Sequence, residues 1–166
     1  MGEFKGRVWS AVKKFVRTAS GRQRFNVLGA LNFVTKKMET VTNSTYITSA
    51  EIIEMLEKLS RLHIGKVVNV VLDNARYQRC KLVQDKAALL GINLVFLPTY
   101  SPNLNLIERV WKIVKSRVLN SAYHETFPIF CDKIERFVNV LHTDFAPEMK
   151  SLITDNFQII DLDNVI

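Results

Sequence analysis

Two short apolar segments, separated by one helical segment, constrain the fold of this chain more than any other feature. The first, KVVNVVLD, ends at Asp73, and the second, INLVFLP, begins after Gly91. The residues between them, about Arg79 to Leu90, carry apolar side chains at helical spacing: Leu82, Val83, Ala87 and Leu90. A strand, a helix and a strand joined by short connections form a right-handed crossover, so the two strands are parallel. Because the first segment is nearly all apolar, we expect both of its faces to be covered.

The segments on either side add antiparallel strands and more helices. Residues Val8 to Val41 are rich in Val, Phe and Thr and are interrupted by polar turns, which predicts two or three antiparallel strands. Apolar residues at helical spacing predict three further helices, from Thr48 or Ser49 to Leu62, from about Leu104 to Leu119 and from Thr126 to Leu141. The predicted fold class is therefore α/β, with a mixed sheet and flanking helices.

The length of 166 residues allows one sizeable core and is too short for two ordinary domains. We expect one domain over residues 1–146 and a C-terminal tail over residues 147–166, where no period is visible. No apolar run approaches the roughly 20 residues of a membrane span, and the start MGEFKGRVWS lacks the apolar part of a signal peptide. We therefore expect a cytoplasmic protein without a membrane partner.

Positive charge is concentrated at the start of the chain. The formal net charge is +7; residues 1–37 hold nine Lys or Arg against Glu3, whereas residues 144–166 hold one Lys against five acids. This distribution favours a polyanionic partner such as nucleic acid, although a basic surface that only keeps the protein soluble explains it as well. Arg22 and Arg24, at a predicted hairpin tip, either contact DNA or belong to a solvated turn.

Asp73 is the first candidate site residue, because it lies where the buried strand ends and the loop NARYQR begins. In open α/β sheets, ligands gather at the carboxyl ends of the strands. An aspartate that only stabilises a turn would occupy the same position, and the sequence leaves both interpretations open.

Glu108 is the second candidate, in the first turns of the helix predicted after Leu104. It lies about 100° from Ile107 around the helix axis, at the edge of the apolar stripe, so it can face a cleft. It can also form an ion pair with Lys112, worth roughly 0.2–0.5 kcal/mol. The preceding loop contains residues that fix the start of the helix: Pro98, Ser101, Pro102 and either Asn103 or Asn105.

Two carboxylates brought together by different elements repel each other unless a cation lies between them. Mg²⁺ prefers oxygen ligands, and two-metal sites use it to activate water and to hold the leaving oxygen of a phosphodiester. Asp73 and Glu108 therefore point to metal-dependent phosphodiester chemistry. Nearby cations would contact the backbone of a nucleic acid: Arg76, Arg109, Lys112 and Lys115.

The segments VVLDNARYQRC and LVFLPTYSPNLNLIERVWKIVKSRV resemble the catalytic domain of the Asp-Asp-Glu transposases of prokaryotic insertion sequences, in the mariner-like superfamily. The 34 residues between Asp73 and Glu108 match that group as well, and the resemblance covers roughly residues 6–142. It implies a ribonuclease-H-like fold, a pair of Mg²⁺ or Mn²⁺ ions, and hydrolysis followed by transesterification of DNA at transposon ends.

The resemblance also implies roles for individual positions. Asp73 and Glu108 match the second and third acids of the catalytic triad and would hold the metal. The other matching positions would shape the site: Asn74, Pro98, Tyr100, Ser101, Pro102, Asn105 and Trp111.

The chain departs from the family pattern at its start. The family's first catalytic aspartate lies on the first, central strand, ahead of the GRVW segment, but no aspartate precedes Asp73 here, and Glu3 is the only early acid. We therefore expect a shortened copy, without the helix-turn-helix region that reads transposon ends. Met1 to Lys5 or a strand exchanged with a second copy would fill the first-strand position, or the sheet would close up.

Loss of the first aspartate has a chemical consequence. That residue would bridge both metal ions, so without it we expect weak metal binding and poor activation of water. The expected function is that of a transposase catalytic domain, inactive as this chain. The alternative is a non-catalytic remnant that binds DNA or dimerises.

Overall fold

A computed structural model describes residues 23–98, 104–120 and 124–157 of the protein. Within these residues, short strands alternate with helices in the first half of the chain and helices alone follow in the second half. The strands are β1 (Asn26–Leu31), β2 (Met38–Asn43), β3 (Val68–Leu72) and β4 (Ile92–Phe96). The α-helices are α1 (Ser49–Leu62), α2 (Lys81–Leu89), α3 (Ile107–Val114), α4 (Phe127–Asp144) and α5 (Ala146–Leu152). The predicted α/β class is confirmed.

Strands β1 and β2 form the predicted antiparallel hairpin, with Asn26 opposite Asn43 and Leu31 opposite Met38. Asn32 holds the turn between them, because its Oδ1 atom accepts hydrogen bonds from two backbone N–H groups of the turn. The earlier part of the predicted meander, before residue 23, lies outside the described residues. Arg24 lies just before β1, and the predicted hairpin tip at Arg22 and Arg24 involves residues outside the described part of the chain.

Strands β3 and β4 are parallel neighbours joined through α2, as the sequence predicted. The pairing continues past the strands, because the backbone N–H of Leu97 donates to the carbonyl of Leu72 at 2.8 Å. One face of the pair packs against α1 and α2, around Leu56, Val83 and Ala87. The carboxyl ends of both strands therefore lie level at one edge.

The expectation that both faces of the first apolar segment are covered was wrong. Along β3 the side chains alternate, and Val71 is 51% exposed. Asn69 lies on the same exposed face and accepts a hydrogen bond from Asn93 of β4 at 3.1 Å. The helix α2 differs from expectation in the same way, because Leu82 is 62% exposed. Apolar composition indicates that a residue can be buried, but not that another element covers it.

Helix α1 packs against both pairs of strands. Its residues Met55 and Leu59 join Val41 of β2 in one cluster, against which Leu28 of β1 and Val70 of β3 also pack. Among the described residues, the hairpin and the parallel pair are separate two-stranded sheets. Any strand from Met1–Lys5 would lie outside the described part.

The second half of the chain forms a larger core of its own. It includes Val110 of α3, Val138 and Leu141 of α4, and Met149 of α5, all almost completely buried, together with Met38 of the hairpin. The region after residue 146 showed no sequence period, yet α5 is part of this core. Helix α3 begins three residues later than predicted and continues as a π-helical segment, Lys115–Leu119.

A candidate active site at the carboxyl ends of the parallel strands

Asp73 directly follows β3 and lies at the edge where both parallel strands end. The next residue, Asn74, has a left-handed backbone with φ of 68°, a conformation that asparagine adopts more readily than most residues. The chain therefore turns away from the sheet immediately after the acid, which leaves the Asp73 side chain exposed. Pro98 follows Leu97 on the neighbouring strand and is exposed as well, at the same edge.

The loop after Asp73 is held by a residue that the sequence analysis missed. Gln78 is only 6% exposed, and its Oε1 atom accepts a hydrogen bond from the backbone N–H of Ala75 at 3.0 Å. The backbone N–H of Gln78 donates in turn to the carbonyl of Ala75 at 2.9 Å. A glutamine in a polar loop gives no sequence signal that it will be buried.

Tyr77 is a second neighbour of the acid that the sequence analysis did not select. Burial of the ring raises the pKa of Tyr77, and the carboxylate of Asp73 raises it further because it repels the phenolate. The ring stays 39% exposed. Its phenol is thus kept neutral beside the candidate acid.

Asn105 connects Asp73 to the start of α3. Its Nδ2 atom donates a short hydrogen bond to Oδ1 of Asp73. Its Oδ1 atom accepts from the backbone N–H of Ile107 at 3.3 Å, and its carbonyl accepts from the N–H of Glu108 at 3.2 Å. One side chain therefore joins the sheet edge to the helix, one turn before the second candidate acid.

Glu108 is half-buried as a residue, and its carboxylate has no hydrogen bond or ion pair with any described residue. The alternative interpretation of Glu108 required an ion pair with Lys112, and the structure does not contain that pair. Glu108 therefore does not stabilise the helix surface in the way that its spacing to Lys112 allows.

Trp111 packs α3 against the hairpin. A Cβ atom placed on Gly29 of β1 would lie 2.9 Å from Cζ2 of Trp111, 2.9 Å from Cδ1 of Ile107 and 2.6 Å from Cε of Met38. The absence of a side chain at Gly29 therefore lets the helix approach the strand closely. This packing fixes the helix that carries Glu108, which agrees with a site-shaping role for Trp111.

The acids offer oxygen ligands of the kind that hard divalent cations prefer. Oδ2 of Asp73 and both carboxylate oxygens of Glu108 accept no hydrogen bond from a described residue. No group of three or more His, Cys, Asp or Glu residues in the described ranges could hold a metal ion. The donor set thus fits a divalent cation with two protein carboxylates and leaves the other coordination positions to water or substrate.

The predicted phosphate-contacting cations differ in what they already bind. Arg76, Lys112 and Lys115 are exposed and have no ion pair with another described residue. The guanidinium of Arg109 instead donates to the carbonyls of Leu152 at 2.9 Å, Thr154 at 3.1 Å and Asn156 at 3.2 Å. Arg109 therefore binds the end of α5, a contact that the sequence analysis did not predict.

Arg24 is also bound within the chain. Its guanidinium donates to the carbonyl of Thr45 at 3.2 Å and lies 4.1 Å from the ring centroid of Tyr46. The remaining predicted site residues lie outside the described residues: Arg22, Tyr100, Ser101 and Pro102.

Comparisons with known proteins give a family match and a similar structure. A family profile described as "DDE superfamily endonuclease" matches residues 3–130. A search of curated proteins gave no match. A cryo-EM structure of the simian T-cell lymphotropic virus intasome in complex with PP2A regulatory subunit B56 gamma is similar, with 13% sequence identity and a TM-score of 0.47. That match covers 84% of this chain and 50% of the other, so the chain spans about half the length of that protein.

The family match covers well over half of the chain and includes both candidate acids. The protein therefore belongs to the DDE superfamily endonuclease family. No helix among the described residues is long and apolar enough to cross a membrane.

Proposed function

We propose that this chain is the catalytic domain of a transposase that cuts and rejoins DNA at transposon ends, in a ribonuclease-H-like fold. Asp73 and Glu108 are the residues that would hold Mg²⁺ or Mn²⁺, and the bound ion would activate water and stabilise the leaving oxygen of the phosphodiester. The observation that carries the proposal is the Asn105 side chain, which joins Asp73 to the first turn of the helix that bears Glu108.

The state of the two carboxylates supports a role in binding. A structural carboxylate is normally paired or hydrogen-bonded, whereas Glu108 is half-buried and has no such partner in the described part of the chain. The carboxylate oxygens of Glu108 are therefore free to take a ligand. A divalent cation fits because Asp73 and Glu108 both keep carboxylate oxygens without a described partner, and hard divalent cations prefer such ligands.

The charges on α3 support DNA as the substrate. Glu108, Lys112 and Lys115 follow one another at helical spacings of four and three residues, so they share one face of the helix. Arg76 lies three residues after Asp73 in the same loop. We propose that the acids bind the reacting phosphate while Lys112, Lys115 and Arg76 contact neighbouring phosphates.

We propose that the chain alone is inactive, because the described residues bring two carboxylates to the site and no third. A second copy could complete the site by exchanging a strand, which would make a homodimer the functional unit. The alternative function is a remnant that binds DNA or dimerises without metal chemistry. The two proposals differ in whether a divalent cation binds at Asp73 and Glu108.

A Mn²⁺ titration followed by electron paramagnetic resonance, combined with nicking of supercoiled plasmid, tests the proposal. We expect Asp73→Asn and Glu108→Gln each to weaken Mn²⁺ binding at least about tenfold, because each removes a charged ligand. Asp85→Asn removes a charge from an exposed position on α2 and is the matched control. Any nicking by the wild-type chain should disappear in both site variants and persist in the control.

Unchanged Mn²⁺ binding in both site variants would refute the metal site and favour the remnant. Nicking that survives both substitutions would mean that other residues carry the chemistry. Retained Mn²⁺ binding without nicking in the wild-type chain is the expected result if a third carboxylate has to come from a second copy.

A further inference from the structure

We infer that Asn105 is a positioning residue that holds one carboxylate oxygen of Asp73, disfavours binding of the metal through both oxygens and thereby favours Mg²⁺ over Ca²⁺. The inference rests on the proposed metal site and goes beyond it by naming what sets the preference for an ion. It starts from the hydrogen bond between Nδ2 of Asn105 and Oδ1 of Asp73.

The amide of Asn105 is oriented by a second contact on its other side. Its Oδ1 atom accepts from the backbone N–H of Ile107, and this bond determines which way the amide plane turns. With the oxygen bound to the helix, the nitrogen faces Asp73 and can only donate. The side chain therefore holds one carboxylate oxygen of Asp73 and leaves Oδ2 without a described partner.

A carboxylate oxygen that accepts one hydrogen bond keeps a second lone pair, but the bond fixes the orientation of the group and withdraws charge from that oxygen, which disfavours binding of a cation through both oxygens at once. Mg²⁺ suits this arrangement because it requires near-octahedral geometry and keeps several of its waters. Ca²⁺ is larger, takes six to eight oxygen ligands and often binds carboxylates through both oxygens. Holding Oδ1 therefore weakens a ligand that Ca²⁺ would use and that Mg²⁺ does not need.

The structure also argues against a purely helix-capping role for Asn105. Helices α1 and α4 are capped by Thr48 and Thr126, whose hydroxyl groups accept from backbone N–H groups of the first turn. A threonine or serine would serve the same purpose at α3. Asparagine carries its acceptor and its donor on two different atoms of a longer side chain, so it can bind Ile107 and reach Asp73 at once.

The test separates the two contacts with two variants of the full chain. Asn105→Ser keeps an oxygen that can accept from the N–H of Ile107 but is too short to reach Asp73, whereas Asn105→Ala removes both contacts. Mn²⁺ bound to each protein is displaced with Mg²⁺ and, separately, with Ca²⁺, and the ratio of the two affinities is measured. Urea denaturation of each variant measures its stability, and Asp73→Asn is the reference for a lost ligand.

We expect Asn105→Ser to shift the affinity ratio toward Ca²⁺ about tenfold or more, with stability close to that of the wild type. Asn105→Ala should show the same shift with lower stability. A purely structural role would weaken both ions together and leave the ratio unchanged, which would overturn the inference. If Asp73→Asn also leaves Mn²⁺ binding unchanged, the proposed metal site itself fails. If Asp73→Asn weakens Mn²⁺ binding but both Asn105 variants keep the wild-type ratio of Mg²⁺ to Ca²⁺ affinity, only the inference fails.

Discussion

The first turns of α1 and α3 have the same spacing of a polar residue and a glutamate, but the two glutamates differ in what they bind. Thr48 precedes Glu51 by three residues, and Asn105 precedes Glu108 by three. The carboxylate of Glu51 accepts from the backbone N–H and the hydroxyl of Thr48, both at 2.7 Å, and from Nδ2 of Asn43 at 2.8 Å. The carboxylate of Glu108 has no partner among the described residues.

The difference arises at the polar residue. Thr48 and Glu51 form a capping box, in which each side chain satisfies a backbone N–H group at the helix end. Asn105 uses its acceptor for the helix and its donor for Asp73 of another element. The same sequence spacing thus stabilises one helix and leaves a free acid at the other. A glutamate in a first turn is a functional candidate when its capping partner is bound elsewhere.

The largest expected effect comes from the packed side of α3. Ile113→Ala should lower the free energy of unfolding by about 2–5 kcal/mol, because Ile113 is buried in the larger core. Glu108→Gln should change it by no more than about 0.5 kcal/mol, since no contact is lost. Urea denaturation compares the two variants. If Glu108→Gln were as destabilising as Ile113→Ala, Glu108 would be structural and the comparison with Glu51 would be wrong.

The next largest effect should come from the capping box. Thr48→Ala should lower the free energy of unfolding by about 0.5–2 kcal/mol, because the N–H of Ala50 and the carboxylate of Glu51 both lose a partner. Thr48→Ser keeps the hydroxyl and is the matched control, with stability near that of the wild type. Equal destabilisation by both substitutions would assign the effect to the lost methyl group and not to the cap.

A smaller effect concerns acid stability. The hydroxyl and the backbone N–H of Thr48 are the main causes that lower the pKa of Glu51 from 4.5 to about 2. Since the pKa is lower in the folded protein, the contribution of Glu51 to stability is complete above pH 4.5 and is lost as the pH falls toward 2. Glu51→Gln should therefore be less stable than the wild type at neutral pH. The difference in the free energy of unfolding between the two proteins should shrink as the pH falls from 4.5 toward 2. Urea midpoints at several pH values measure it, and a constant difference would contradict the capping box.

The sequence predicted the features that depend on neighbouring residues. The hairpin, the strand–helix–strand unit and a start of α1 at Thr48 or Ser49 follow from local patterns of apolar and turn residues, and the structure contains all of them, with Thr48 as the cap. Coverage of β3 on both faces was predicted wrongly, because it depends on which distant segment packs there. Helix α5 was not predicted, since its seven residues are too few to display a period.

The same reasoning explains which parts of the site could be predicted. Asp73 and Glu108 were selected because each lies at the end or the start of an element. The contact of Asn105 with Asp73 joins residues 32 positions apart, and Arg109 contacts carbonyls 43 to 47 positions away. No local spacing encodes such contacts, so the sequence indicated the acids and Asn105 as a site-shaping position, but neither the contact of Asn105 with Asp73 nor the partner of Arg109.

The smallest expected effect extends the comparison to the cations of α3, of which Arg109 is bound internally and Lys112 is not. We propose that Lys112 contacts a DNA phosphate. Lys112→Gln should therefore reduce the slope of log affinity against log salt concentration by about 0.9 for duplex DNA. The stability of the protein should stay unchanged. Arg109→Gln should lower stability, because three backbone carbonyls lose their donor, and should leave the slope unchanged. Fluorescence anisotropy over a range of salt concentrations measures the slope. If Arg109→Gln stays folded and still reduces the slope, the guanidinium of Arg109 also reaches DNA. The distinction between bound and free charges on this helix would then fail.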